Sequence, residues 1–145
     1  MPGGIKPDPL CVSDCEYNEC GRCVWSELKP YRPKVVAVDF DGVIVECNGW
    51  KGHNHFGRVK KGAVEALREF KERGYVIVIW TTRYNEEGIR KFLKDNGVPF
   101  DFINENPFGP PDTSRKIYAD VYLDDRAVRF ESWEQARRDV LRMLE

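Results

Sequence analysis

The sequence predicts an α/β domain built on a doubly wound parallel sheet, and three observations carry that expectation. Two short apolar runs, Val35 to Val38 and Tyr75 to Trp80, have the length of strands and no polar side, as strands buried on both faces require. Segments of helical period follow each of them, and strand–helix alternation implies parallel pairing with right-handed crossovers. Each run then stops at polar residues, Asp39 after the first and Thr81 after the second, where ligands bind at the carboxyl edge of such a sheet.

The chain has 145 residues, about one domain, enough for a single well-covered core. Hydrophobic residues at 41% and charged residues at 32% describe a soluble globular protein. No apolar run approaches the ~18 residues of a membrane span. The opening MPGGIKPDPL lacks the basic-then-apolar order of a secretory signal. A cytoplasmic protein with no membrane partner is therefore expected. A formal charge of −1 supplies no global field for nucleic acid, so a polyanionic partner would need a local patch.

Residues 1–33 read as a separate segment and linker, and residues 34–145 as the catalytic-type domain. The first segment carries Cys11, Cys15, Cys20 and Cys23. Four thiols so close together, interleaved with Asp14, Asn18 and Gly21, suit a loop around one metal ion. Zinc is the expected occupant, with an iron–sulfur cluster or a disulfide pair as alternatives; a reducing compartment disfavours the disulfide. Lys6 and Arg22 against Asp8, Asp14, Glu16 and Glu19 leave residues 1–25 at net −2. Phosphate contacts need the opposite sign, so docking or structure is favoured there over nucleic-acid binding.

The first strand leads into Asp39-Phe-Asp41-Gly42. In an extended chain side chains at i and i+2 share a face, so the two carboxylates are expected to face one point. Gly42 would free backbone N–H groups to approach an anion. Residues 46–61 have no regular period and read as a flap beside the carboxylates. It carries His53, His55, Trp50, Phe56, Arg58, Lys60 and Lys61, either as a substrate-facing lip or as a solvated loop. Cys47 reads as a small, partly buried side chain.

Gly62 to Arg73 reads as a helix with Ala63, Ala66, Leu67 and Phe70 inward and Gly74 at its C-terminal cap. After the second strand, Thr81 and Thr82 offer hydroxyls and backbone amides to a phosphoryl oxygen, and Arg83 a cation for an anionic substrate. Glu86 to Asn96 is the next helix, stopped by Gly97 and Pro99. PFDFINEN reads as a short third strand, followed by an ordered Pro- and Gly-rich loop closed by Lys116. Ala119 to Leu123 makes a fourth strand ending in Asp124-Asp125, two acids that repel unless a cation sits beside them. Ser132-Trp-Glu-Gln135 is a capping box for a last helix with Trp133, Ala136, Val140, Leu141 and Leu144 on one face.

The set VDFDGV, the Thr of IWTTR, Lys116 and YLDDRA, each at a predicted strand end or just before a strand, resembles the haloacid dehalogenase-like (HAD) hydrolases over Lys34 to Glu145. The resemblance implies a Rossmann-like HAD core and a Mg²⁺-dependent phosphatase working through an aspartyl-phosphate. It assigns Asp39 as nucleophile and Asp41 as acid and then base. It gives Thr81 and Lys116 to the phosphoryl oxygens. Mg²⁺ would be held by Asp39, the Asp41 backbone carbonyl and Asp124, with Asp125 direct or through water. No insertion large enough for a cap domain is present, so a capless member is implied, with a large substrate or a second copy of the chain closing the site. Nucleotide, sugar phosphate and polynucleotide end all stay open as substrates. A non-catalytic phospholigand-binding or scaffold protein docking through its cysteine segment is the reading from a different class.

Overall fold

The computed structural model describes residues 33–110 and 113–145. The cysteines at 11, 15, 20 and 23, and the metal site expected of them, lie outside the described residues. Among the described residues seven elements follow in order: β1 (Val35–Val38), α1 (Ala63–Glu72), β2 (Val76–Ile79), α2 (Glu86–Asp95), β3 (Phe102–Ile103), β4 (Val121–Leu123) and α3 (Trp133–Leu144). The strands form one sheet of order β3-β2-β1-β4, every pair parallel. The expected fold class, an α/β parallel sheet flanked by helices, is the one found.

Alternation along β1 and β2 explains why both runs are apolar throughout. Val36, Val38, Ile77 and Ile79 join Ile103 on one face and meet Leu67 of α1 and Ile89 and Leu93 of α2. Val35, Ala37, Val76 and Val78 face the other way, against Ile117 and Ala119. All eight strand residues are buried. Gly74 and Gly97 take positive φ just past the ends of α1 and α2, as expected of them. The Pro- and Gly-rich stretch after β3 forms no strand or helix where it is described.

β3 is two residues long and β4 three, both shorter than the sequence suggests. β4 is also an edge strand with exposed side chains, not a buried one. At α3 the capping box forms in full, Ser132 Oγ accepting from Gln135 N and Gln135 Oε1 accepting from Ser132 N. The expected inward stripe differs. Only Ala136 is buried, and Trp133 is 81% exposed. The helix forms because its cap and its i,i+4 pair Glu134–Arg138 are local, whereas burial needs a neighbour. No helix among the described residues is long and apolar enough to cross a membrane.

The strand order reverses direction between β1 and β4. The chain steps from β1 to β2 to β3 on one side, then crosses to place β4 on the other. At such a switch point the loops beyond the two strands diverge and leave a crevice at their carboxyl ends.

Candidate functional site

Asp39 leaves β1 at that crevice, and its amide donates to the carbonyl of Leu123, the last residue of β4, at 2.9 Å. This bond continues the β1–β4 ladder by one step and brings Asp39 beside Asp124 and Asp125. Carboxylate oxygens of the three residues lie within 4.8 Å of one another. Gly42 packs directly against this group: it has φ of 83°, and a Cβ there would collide with Asp125 Oδ2. Its lack of a side chain is what lets Asp125 close over the turn.

Burial pushes the Asp39 carboxyl up to about 7. A hydrogen bond from Phe40 N opposes the rise, and the charges of Asp124 and Asp125 add to it. Among the described residues no ion pair reaches any of the three acids. Three crowded carboxylates without an ion pair among the described residues fit a hard divalent cation. The donor set is all oxygen, which suits Mg²⁺ and not the thiolate- and imidazole-seeking metals.

Asp41 is placed differently from the sequence expectation. Regular strand geometry stops at Val38, and the carbonyl of Phe40 accepts from Ile44 N and Val45 N in a tight turn, so the i, i+2 rule no longer applies at Asp41. Phe40, fully buried against Phe56 and Phe92, anchors that turn. The Asp41 carboxylate faces Arg83 and lies outside the three-acid group. Its two oxygens accept from Arg83 Nε at 2.7 Å and Nη2 at 2.8 Å.

Arg83 is therefore also not where the sequence suggests. Its side chain is 4% exposed, and its remaining donors reach the carbonyls of Gly52, His53 and His55 in the flap. Its guanidinium lies over the rings of Phe40, Trp50 and Phe56. A guanidinium so completely engaged has no donor left for a substrate anion, because the flap folds back onto it.

Thr81 follows β2 at the same edge of the sheet. Its Oγ1 accepts from Arg83 N and its amide donates to Asn104 Oδ1. Asn104, which sequence reasoning missed, holds positive φ of 55° at the end of β3. Asparagine is among the few residues that tolerate that conformation, the one signal that pointed to it. Thr82 is exposed. Lys116 is exposed too, its ammonium 5.2 Å from the centroid of the Tyr122 ring and in no ion pair with the acids. Cys47 is exposed rather than partly buried.

Neither a protein-family model nor a curated protein matches the sequence. Among solved structures, a conserved protein from Bacteroides thetaiotaomicron is 27% identical over 78% of this chain and 93% of that chain, with a TM-score of 0.55. A protein from Vibrio cholerae is 25% identical over 76% of this chain and 98% of its own, at a TM-score of 0.45. The D,D-heptose 1,7-bisphosphate phosphatase of B. bronchiseptica, solved with magnesium and phosphate, is 20% identical over 56% of this chain and 54% of its own, at 0.38. The first likeness shows the same fold recurring over nearly the whole of another chain.

The flap closes on itself beside the acids. Glu46 N donates to Arg58 O and Lys60 N to Ile44 O, and Val45 bridges Val59. Gly57 lies so near the Glu46 carbonyl that a Cβ would overlap it. Between this lobe and the Asp41–Arg83 pair lies a cavity of about 250 Å³, lined in part by Trp50, Lys51, His55, Phe56 and Arg58.

Proposed function

We propose that this protein is a Mg²⁺-dependent phosphatase of the HAD type that hydrolyses a phosphomonoester through an aspartyl-phosphate. The observation that carries the reading is the meeting of Asp39, Asp124 and Asp125 at the switch point of a parallel sheet. Mg²⁺ held there would offset the negative charge of the phosphoryl group and of the acids themselves.

The chain's own residues then do the rest. Asp39, freed of its proton, attacks phosphorus; the P–O bond to the leaving group breaks as the acyl-phosphate bond forms. The leaving oxygen takes a proton from Asp41, whose carboxyl must rotate away from Arg83 to deliver it. Water, deprotonated by Asp41, attacks the same phosphorus, releasing inorganic phosphate and restoring Asp39. Thr81 and Lys116 serve the phosphoryl oxygens, Lys116 by swinging from Tyr122 toward the acids.

The test is phosphate release with Mg²⁺ from nucleotides, sugar phosphates and phosphorylated oligonucleotides, wild type beside Asp39→Asn. Release from one class that vanishes in the variant is expected. Release that survives in Asp39→Asn, or no release from folded, metal-replete protein, would overturn the mechanism. One observation favours a second reading, a phospholigand-binding protein: both oxygens of Asp41 are already taken by Arg83. Mg²⁺-dependent binding of phosphate esters without turnover would support that one instead. Zinc at Cys11, Cys15, Cys20 and Cys23 is tested apart, by elemental analysis expected to find about one Zn per chain, lost in Cys20→Ser.

A further inference from the structure

Three aromatic rings, two in the flap and one just past β2, stand in a row that begins at Trp50 on the cavity beside Asp41, and the catalytic reading gives them no task. Trp50 meets His53 edge-on at a centroid distance of 4.7 Å, and His53 meets Tyr84 at 3.8 Å. The outer members are open to solvent, Trp50 60% and Tyr84 76% exposed. Burial therefore does not explain them. Large rings set side by side and left exposed form the kind of contiguous apolar patch that marks a binding surface.

Their positions are fixed, not incidental. Trp50 lies over the Arg83 guanidinium, 4.8 Å from its carbon, and that guanidinium holds Asp41. Tyr84 is the next residue after Arg83. The row is thus tied by one side chain to the turn that follows Asp39. His53 Nδ1 is buried without a hydrogen-bond partner among the described residues, so ring contacts hold that side chain in place. Next to Tyr84 in sequence, Asn85 Nδ2 donates to Asn54 Oδ1 at 2.7 Å while its Oδ1 caps α2 by accepting from Gly88 N, so the flap is tied to the start of that helix. The flap carries Lys51, Arg58, Lys60 and Lys61 against Glu46 alone, a local positive balance on a chain of net −1.

We infer that Trp50 and Tyr84 form a stacking platform for the nucleobase of the substrate, so that the phosphomonoester hydrolysed is borne by a nucleotide or by the end of a nucleic acid. This rests on the phosphatase reading and narrows its substrate. Every base has a π face, so aromatic plates of this kind bind bases with little regard to sequence. The basic flap beside them suits a phosphate-bearing chain. A sugar phosphate could meet the plates only through its C–H groups, without the π overlap that a planar base offers.

The experiment has two arms. In the first, kcat/KM is measured with Mg²⁺ for adenosine 5′-monophosphate, a 5′- or 3′-phosphorylated oligonucleotide and glycerol phosphate, in wild type, Tyr84→Ala and Trp50→Leu. The preference for the base-bearing substrates over glycerol phosphate is expected to fall roughly 5- to 150-fold, the range of one lost base–aromatic stack. A larger fall on the oligonucleotide assigns the platform to a nucleic-acid end, an equal fall to a free nucleotide. An unchanged preference in both variants overturns the platform.

The second arm needs no turnover. Adenosine, which has no phosphate, is titrated into Asp39→Asn while the Trp50 indole N–H is followed by NMR, the signal assigned by its loss in Trp50→Leu. A saturable shift is expected. No shift with adenosine, alongside a response to glycerol phosphate, overturns the platform while leaving the phosphatase reading standing. Hydrolysis that survives in Asp39→Asn sinks the phosphatase reading instead.

Discussion

Arg83 and Asp41 are joined by two hydrogen bonds of 2.7 and 2.8 Å from one guanidinium to one carboxylate, across 42 residues of sequence. The same guanidinium takes three flap carbonyls, so a single side chain fastens the turn after β1, the end of β2 and the flap. Removing it leaves a carboxylate and three carbonyls without their donor in a half-buried site. Arg83→Ala is expected to lower the unfolding free energy by roughly 3–5 kcal/mol, the range for breaking one side of a buried pair. Arg83→Lys should recover only part, because an ammonium cannot span carboxylate and carbonyls at once. Urea unfolding of the two variants checks this; equal stability of Arg83→Ala and wild type would show that the flap is held by other contacts.

Gly42 and Asp125 make the second test, because their contact links backbone conformation to the acid cluster. Alanine at 42 must adopt positive φ and displace the Asp125 carboxylate. The conformational part costs about 1–2 kcal/mol. The displacement should raise the Mg²⁺ concentration needed for half-maximal phosphate release by roughly 10- to 100-fold, as loss of ligand positioning does. A variant destabilised but unchanged in its Mg²⁺ requirement would mean that Asp125 takes no part in holding the ion.

The cap of α3 offers a prediction about local rather than global stability. With only Ala136 buried, this helix draws on its capping box and its surface ion pairs more than on packing. Ser132→Ala should cost it about 1 kcal/mol. Hydrogen exchange should therefore quicken at the amides of α3 while those of β1 and β2, in the sealed core, stay as they are. Uniform quickening across the sheet would instead show that α3 unfolds together with the core.

These residues also mark the boundary of what the sequence discloses. β1, β2 and the three helices were legible because their signals are local: four apolar residues in a row, a 3.6-residue period, a serine three residues before a glutamine. That Asp39, Asp41, Asp124 and Asp125 fall at one edge was legible, since parallel strands end on the same side of a sheet; that Asp39 meets Asp124 and Asp125 depends on β4 lying beside β1, which no local signal gives. The direction of Asp41 was not legible either, since it depends on where the strand stops and on how Phe40 packs under Phe56 and Phe92. Nor was the fate of Arg83, which is set by the flap folding back, a long-range contact without periodicity. Lys116 shows the same limit from the other side: its loop places it over Tyr122, and nothing in the spacing of residues foretells that.

The pH dependence of stability follows from Asp39, whose carboxyl is pushed up to about 7 from an ordinary 3.8, chiefly by burial. The folded, metal-free protein therefore holds this proton more tightly than the unfolded chain does. The stability so conferred is fully present below about pH 4 and is lost as pH rises through 7. Calorimetry in a chelating buffer should find that Asp39→Asn, which carries no charge to lose, melts at a higher temperature than wild type at pH 8, and that the gap closes toward pH 4. Other acids titrate in both proteins, so the difference between them isolates Asp39. Mg²⁺ at pH 8 should then raise the melting temperature of wild type, since a cation among Asp39, Asp124 and Asp125 offsets the crowding that burial makes costly. A gap between the two proteins that is the same at every pH would mean that the Asp39 carboxyl titrates as it does in the unfolded chain, and that it is less buried in solution than the sheet edge places it.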